Sequence, residues 1–234
     1  MATTPEKKKR TTYTTPKGES LFAHLVNVDY GTEQYPDEKG SFNLTLALDT
    51  DAATKLDELI AHEVDTARAE AEAKFDGLKP QTKKKFGEVK FNEAGPEEYD
   101  REGNPTGRRL FRFKTGAFYE NRQGVKVQRK VPLFDSMQQP VKLSDEPGNG
   151  SVVRVAFCCA PYFVEGQGMG GLSLYLNAVQ IIRLNTFGER SASDYGFGAE
   201  EGGFTSEDAD DATAPSGNDE TVAAATEADA VPQF

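Results

Sequence analysis

Tryptophan is missing from this 234-residue chain, and cysteine, histidine and methionine number only two, two and three. Cys158 and Cys159 are adjacent in a strand-like segment, where successive side chains point to opposite faces, so they are poorly placed to bond each other. With no other thiol to pair with, they argue against a disulfide framework and for a reducing compartment. His24 and His62 are far apart in sequence and have no Cys or carboxylate cluster at ligand spacing, so no metal site is assigned. No Gly-x-Ser-x-Gly, His-Glu-x-x-His or Cys-x-x-Cys string occurs, and neither a catalytic residue nor a cofactor is expected. Apolar runs fall short of the roughly 20 residues a membrane-spanning helix needs, and none follows Lys7 to Arg10 to make a secretory signal. The expectation is a cytoplasmic protein without a membrane partner.

Positive charge is absent from the last forty-four residues: Ser191 to Phe234 hold eleven Asp or Glu and no Lys, Arg or His. The whole chain has 38 acidic and 27 basic residues, so its formal charge of −11 resides in that segment and the preceding residues are balanced. Read as one number, the charge argues against a polyanionic partner. Read by segment, it describes a neutral folded body followed by an acidic appendage. The segment is rich in Ala, Gly, Ser, Asp and Glu, and it carries Pro215 and Pro232. It has too few large apolar side chains to offset the entropy of ordering it, so residues 191–234 are expected to be disordered. Residues 1–19 are polar, basic and Thr-rich and are expected to form a flexible arm. One domain over 20–190 remains, long enough for a substantial core.

Within that domain, Ser20 to Asp29 reads as a buried strand and Tyr30 to Gly40 as a turn. Phe42, Leu44, Leu46 and Leu48 then alternate with Ser41, Asn43, Thr45 and Ala47, the period of a half-buried strand. Asp49, Thr50 or Asp51 can cap a helix whose Leu56, Leu59, Ile60, Val64 and Ala67 recur at helical spacing until Gly77. Residues 78–108 hold the Lys83 to Lys85 run and many Gly and Pro, and read as an excursion with one short strand near Val89 to Phe91. From Arg109 onward strands dominate, over 110–120, 125–135, 151–164 and 172–184. A mainly β fold follows, most simply a small closed barrel of five or six strands with one long helix, with a sandwich as the alternative.

Arg101 to Lys130 holds nine basic residues against Glu102 and Glu120, with Phe111, Phe113, Phe118 and Tyr119 interleaved. Alternation places Arg112 and Lys114 on one face of a strand and Phe111 and Phe113 on the other, so one side is core and the other cationic. A cationic sheet face beside exposed rings suits an unpaired nucleic-acid strand, whose phosphates need charge and whose bases need a stacking surface. Arg109, Arg112, Lys114, Arg122 and Lys126 are the candidate phosphate contacts. Phe118, Tyr119 and Tyr162 are candidate stacking rings, the last standing just before the turn Gly166 to Gly171. That turn does not end in Lys-Ser/Thr and leads into a strand, so it is not a phosphate loop. A tethered polyanion has a high effective concentration and competes with nucleic acid for such a face. Once displaced, Phe234, with Glu227 and Asp229 close by, offers an aromatic carboxylate anchor to a partner protein. The plainer readings are a solvated strand face and a solubilising tail.

VNVDYGTEQ (26–34), KGSFNLTLALD (39–49) running into an Ala-rich charged helix, FRFKTGAF (111–118), APYFV (160–164) and RLNTFGE (183–189) form an ordered set. Together with the acidic tail, it resembles the bacteriophage single-stranded DNA-binding proteins of the OB-fold class, the kind used by short-tailed coliphages, over about residues 20–234. The resemblance implies a five-stranded OB barrel with an inserted helix that binds unpaired DNA without sequence preference during replication, recombination and repair. It implies a place in the host cell cytoplasm and tail contacts with phage or host replication proteins, polymerase and helicase, and it leaves a homodimer open. By position, Lys39 and Lys114 correspond to basic DNA contacts and Tyr162 to a stacking aromatic, with Phe42 a further stacking candidate on the neighbouring strand. Gly116 stands where the family pattern has an aromatic, with Phe118 and Tyr119 as the nearby rings, and Gln233 replaces the acid beside Phe234. Two other readings stay open: an interaction or structural barrel whose tail recruits basic partners, and a binder of duplex DNA or RNA.

Overall fold

Long alternating segments become the long strands. In the computed structural model, which describes residues 10–121 and 123–186, β1 is Thr12–Thr14, β2 is Gly18–Gly31 and β3 is Pro36–Asp49. Helix α1 (Thr50–Asp76) and the short α2 (Pro80–Phe86) follow. Then come β4 (Lys90–Asn92), β5 (Glu97–Tyr99), β6 (Pro105–Gly116), β7 (Phe118–Glu120), β8 (Lys126–Gln128), β9 (Leu133–Phe134), β10 (Ser151–Val164) and β11 (Met169–Arg183). Strands β2, β3, β6, β11 and β10 pair in that order and close on one another. All of these pairings are antiparallel except β6 with β11, which is parallel. This is the expected five-stranded OB-type barrel, with α1 inserted between its second and third strands.

The inward row of β3, Phe42, Leu44, Leu46 and Leu48, meets Phe111 and Phe113 of β6 and Val153, Val155 and Phe157 of β10 in one core. Phe113 and Phe157 pack edge to face with ring centres 5.0 Å apart. Helix α1 starts where the Asp49 carboxylate accepts the Ala52 amide at 2.8 Å, satisfying one orphan donor of the first turn, and it ends at Gly77. Leu56, Ile60, Ala67, Ala71 and Phe75 form its buried stripe, which packs against β10 and β11. Cys158 and Cys159 take opposite faces, and burial pushes the Cys159 thiol up to about 12.

The structure also departs from expectation. The arm foreseen over 1–19 is shorter, because Thr12–Thr14 pairs with β10, Tyr13 Oη donates to Glu63 at 2.9 Å, and β2 already begins at Gly18. Residues 1–9 and the acidic segment 191–234 lie outside the described residues. The turn foreseen over 30–40 shrinks to a four-residue reversal closed by Thr32–Tyr35 backbone bonds of 3.1 and 3.2 Å, since both strands extend further. Gly40 kinks β3 at φ +65, a left-handed conformation that favours glycine, and any side chain there would collide with Val28 and the Tyr30 ring. The strand foreseen over 125–135 divides. β8 pairs with β7 in a separate hairpin and β9 pairs with β11, with Pro132, which has no N–H to donate, between them. The excursion 78–108 contains α2, β4, β5 and the first residues of β6, and β4 docks parallel to β11.

Candidate nucleic-acid interface

The parity of β6 decides what the barrel offers to solvent. Phe111, Phe113 and Thr115 are buried while Arg112 and Lys114 are exposed, so the expected division into core face and cationic face holds along this strand. Register then assigns neighbours on the outer face: Arg112 stands opposite Thr45, and Lys114 lies between Asn43 of β3 and Tyr175 of β11. Tyr175 is 37 % exposed, and the Arg10 guanidinium sits 4.9 Å from its ring centre.

Three adjoining hollows run across this face. The first, of about 600 Å³, is walled by Arg112, Lys114, Tyr162, Tyr175 and Asn92. The second shares Arg112 and Lys114 and adds Tyr35, Asp37 and Lys39. The third shares Lys39 and adds Phe118, Tyr119 and Lys126. Shared walls make them one trough, cationic along its middle and flanked by rings at both ends. The Tyr162 ring lies across Gly171, where an added Cβ would come within 2.5 Å of its hydroxyl, and the Asn92 side-chain amide donates to that hydroxyl at 2.9 Å. A glycine below and an amide at the tip therefore fix the ring's orientation.

Electrostatics within the trough are locally compensated. Lys114 Nζ donates to Asp37 at 2.9 Å, and this bond holds the Asp37 carboxyl below the usual range. Burial alone would raise Asp29, but the Gly31 amide and the Asn43 side chain both donate to it and hold it low. Among the described residues no carboxylate lies within ion-pair distance of Arg112, Lys39 or Lys126. Those three positions present open charge, and Lys114 has a single carboxylate partner, Asp37.

Of the residues anticipated from sequence, Lys39, Arg112, Lys114, Phe118, Tyr119, Lys126 and Tyr162 come together in the trough. Phe42 does not: its ring is 2 % exposed in the core, on the same inward row as Leu44 and Leu46, so it has no face to stack on a base. Arg109 is likewise misplaced, because it shares a face with Phe111 and lines none of the three hollows. Its guanidinium pairs with Asp57 of α1 and donates to the Gly95 carbonyl at 2.7 Å. Phe118 packs partly on the core and carries Lys126 Nζ 4.4 Å from its ring centre, while Tyr119 is 45 % exposed beneath Arg129. Arg122, Glu227, Asp229 and Phe234 lie outside the described residues. Tyr175 was missed, although Leu172, Leu174 and Leu176 alternate with Ser173, Tyr175 and Asn177, and that period places its ring on the outer face.

Comparison with known proteins gives a consistent result. A family model described as single-stranded DNA-binding protein, bacteriophage T7, matches residues 18–184. The single-stranded DNA-binding protein of Enterobacteria phage T3 is 26% identical over 206 residues, covering 84% of this chain and 86% of that protein. The corresponding protein of Escherichia phage T7 is 25% identical over 202 residues, covering 83% and 84%. The crystal structure of gp2.5, a single-stranded DNA-binding protein encoded by bacteriophage T7, superposes with a TM-score of 0.60 at 19% identity, over 85% of this chain and 100% of that one.

Proposed function

The chain belongs to the bacteriophage T7 single-stranded DNA-binding protein family, and from that premise we propose that its trough holds an unpaired DNA strand without regard to sequence. The observation that carries this reading is the continuity of Lys39, Arg112 and Lys114 between Tyr119 at one end and Tyr162 with Tyr175 at the other. Phosphates follow the cations, and bases stack on the rings, each stacked base contributing about 1–3 kcal/mol. Every base has a π-face and no side chain is needed to read an edge, so the mode is indifferent to sequence. Protection of unpaired DNA in phage replication, recombination and repair, in the host cytoplasm, is the role such binding serves.

The acidic segment 191–234 competes with DNA for the cationic face and, when displaced, engages replication proteins such as polymerase and helicase through Phe234, Glu227 and Asp229. Lys114 already holds one carboxylate, Asp37, at 2.9 Å, the kind of contact this reading assigns to the acidic segment. The test is fluorescence anisotropy of a labelled oligothymidine, with unlabelled duplex DNA and RNA of equal length as competitors. Tight binding to oligothymidine, weakening as salt rises and poorly displaced by duplex, is the expected result. Absence of binding to the unpaired strand would leave an interaction barrel as the better description, and preferential displacement by duplex or RNA would redirect the assignment. Deleting residues 207–234 is expected to tighten binding; unchanged or weaker binding removes the competition.

A further inference from the structure

We propose that the excursion between α1 and β6 extends the DNA track beyond the barrel, with Lys84, Lys85 and Lys90 as additional phosphate contacts. This rests on the reading of the trough as a single-strand site. Residues 79–92 carry five lysines, at 79, 83, 84, 85 and 90, against one acid, Glu88. Among the described residues only Lys83 of these five has a carboxylate partner, Asp76 at 3.1 Å, and Lys79, Lys84, Lys85 and Lys90 are exposed.

Register places these charges at the end of the trough. Strand β4 runs parallel to β11 with Lys90 beside Met169, Phe91 beside Gly170 and Asn92 beside Gly171, while β10 sets Tyr162 against the same Gly171. Asn92 touches the Tyr162 hydroxyl, so the outer face of β4 continues the wall that Tyr162 begins. Alternation sends Phe91 to the other side, under the Arg68 guanidinium at 4.5 Å, and returns Lys90 to the side of Asn92, about 7 Å further along the strand. The Lys90 amide donates to the Gly168 carbonyl at 2.9 Å, and Phe86 packs over Gly168, where a Cβ would lie 2.9 Å from its ring. The β10–β11 hairpin therefore holds α2 and its lysines in fixed relation to Tyr162. A strand leaving the Tyr162 end of the trough meets Lys90 first and then the exposed lysines of α2. The occupant is single-stranded DNA because the patch is cationic and continuous with the stacking end of the trough, while its two rings, Phe86 and Phe91, are partly buried.

The test compares the full chain with the triple variant Lys84→Gln, Lys85→Gln, Lys90→Gln on labelled oligothymidines of about 8 and about 20 nucleotides, a choice that brackets the usual site sizes of an OB fold. A second triple variant, Lys17→Gln, Lys55→Gln, Lys142→Gln, removes the same charge from exposed positions outside the trough. The expected result is a loss of about tenfold or more on the longer strand at 0.1 M salt, with the salt slope reduced by about 2, at roughly 0.7 per lost phosphate contact. The shorter strand and the second variant should change little. Equal loss on both lengths, equal loss in both variants, or an unchanged slope overturns the extension while leaving the trough intact. Failure of the unmodified chain to bind either strand overturns the trough itself, and the extension with it.

Discussion

Strand β6 carries four cations, and its two halves use them differently. In the first half, Arg108 is held between Glu98 at 2.6 Å and Glu19 at 2.8 Å, and Arg109 is tied to Asp57 and the Gly95 carbonyl. In the second half, Arg112 has no carboxylate partner among the described residues and Lys114 has one, Asp37, which itself lines the trough. The first pair fastens β6 to β5, β2 and α1; the second faces the hollow between the rings. Charge density along a sequence is therefore a poor measure of charge available to a ligand, since what a cation can bind depends on which acids the fold brings beside it.

The largest effect expected along this strand comes from the residue between the two cations of the second half. Phe113 is fully buried against Phe157, and Phe113→Ala should cost about 3–5 kcal/mol of stability, read as a lowered midpoint in chemical denaturation. Its neighbour Lys114→Gln should stay within about 0.5 kcal/mol of the unmodified chain in the same experiment. Comparable destabilisation by both would mean that the two faces of β6 are not divided into core and trough.

Next in size are the rings at the Tyr162 end. Tyr162→Ala and Tyr175→Ala should each weaken oligothymidine binding by about 1–3 kcal/mol without lowering the salt slope, because stacking releases no counterions. A Tyr175 variant that binds normally would restrict the site to Tyr162 and make the Arg10–Tyr175 contact purely structural.

Much of this arrangement is legible in the chain itself. The Asp49 cap, the inward row of β3 and the split of β6 into Phe111/Phe113 and Arg112/Lys114 all follow from local period and end signals. The same parity rule would have removed Phe42, which shares a face with Leu44, and Arg109, which shares a face with Phe111, and would have added Tyr175. Long-range pairing was not legible. Nothing near Arg108 in sequence announces Glu19, 89 residues away, and the parallel docking of β4 on β11 joins segments nearly eighty residues apart through a three-residue strand too short to carry a pattern.

The two halves of β6 separate most directly in salt dependence. Arg112→Gln and Lys114→Gln should each reduce affinity for oligothymidine about fivefold at 0.1 M salt and lower the salt slope by about 0.7. Arg108→Gln and Arg109→Gln should leave the slope unchanged and act on stability. A common slope change in all four would show that the carboxylates around Arg108 and Arg109 give way to DNA, and the distinction between fastening and binding cations would fail.

The smallest effect is the pH response of the fastening half. The hydrogen bond from Arg108, reinforced by the Thr106 hydroxyl, holds the Glu98 carboxyl below its ordinary value of 4.5. A carboxyl whose folded pKa lies below its unfolded one adds stability that is fully present above the unfolded value and is lost as pH falls through the folded one. Between pH 6 and pH 3 the unmodified chain should therefore lose slightly more stability than Glu98→Gln, the difference staying under about 1 kcal/mol because the pair is near the surface. The other carboxylates titrate in both proteins and cancel in the comparison. Parallel thermal midpoints across that range would show that Arg108 gains nothing from Glu98, leaving Glu19 as the carboxylate that holds the first half of β6 in place.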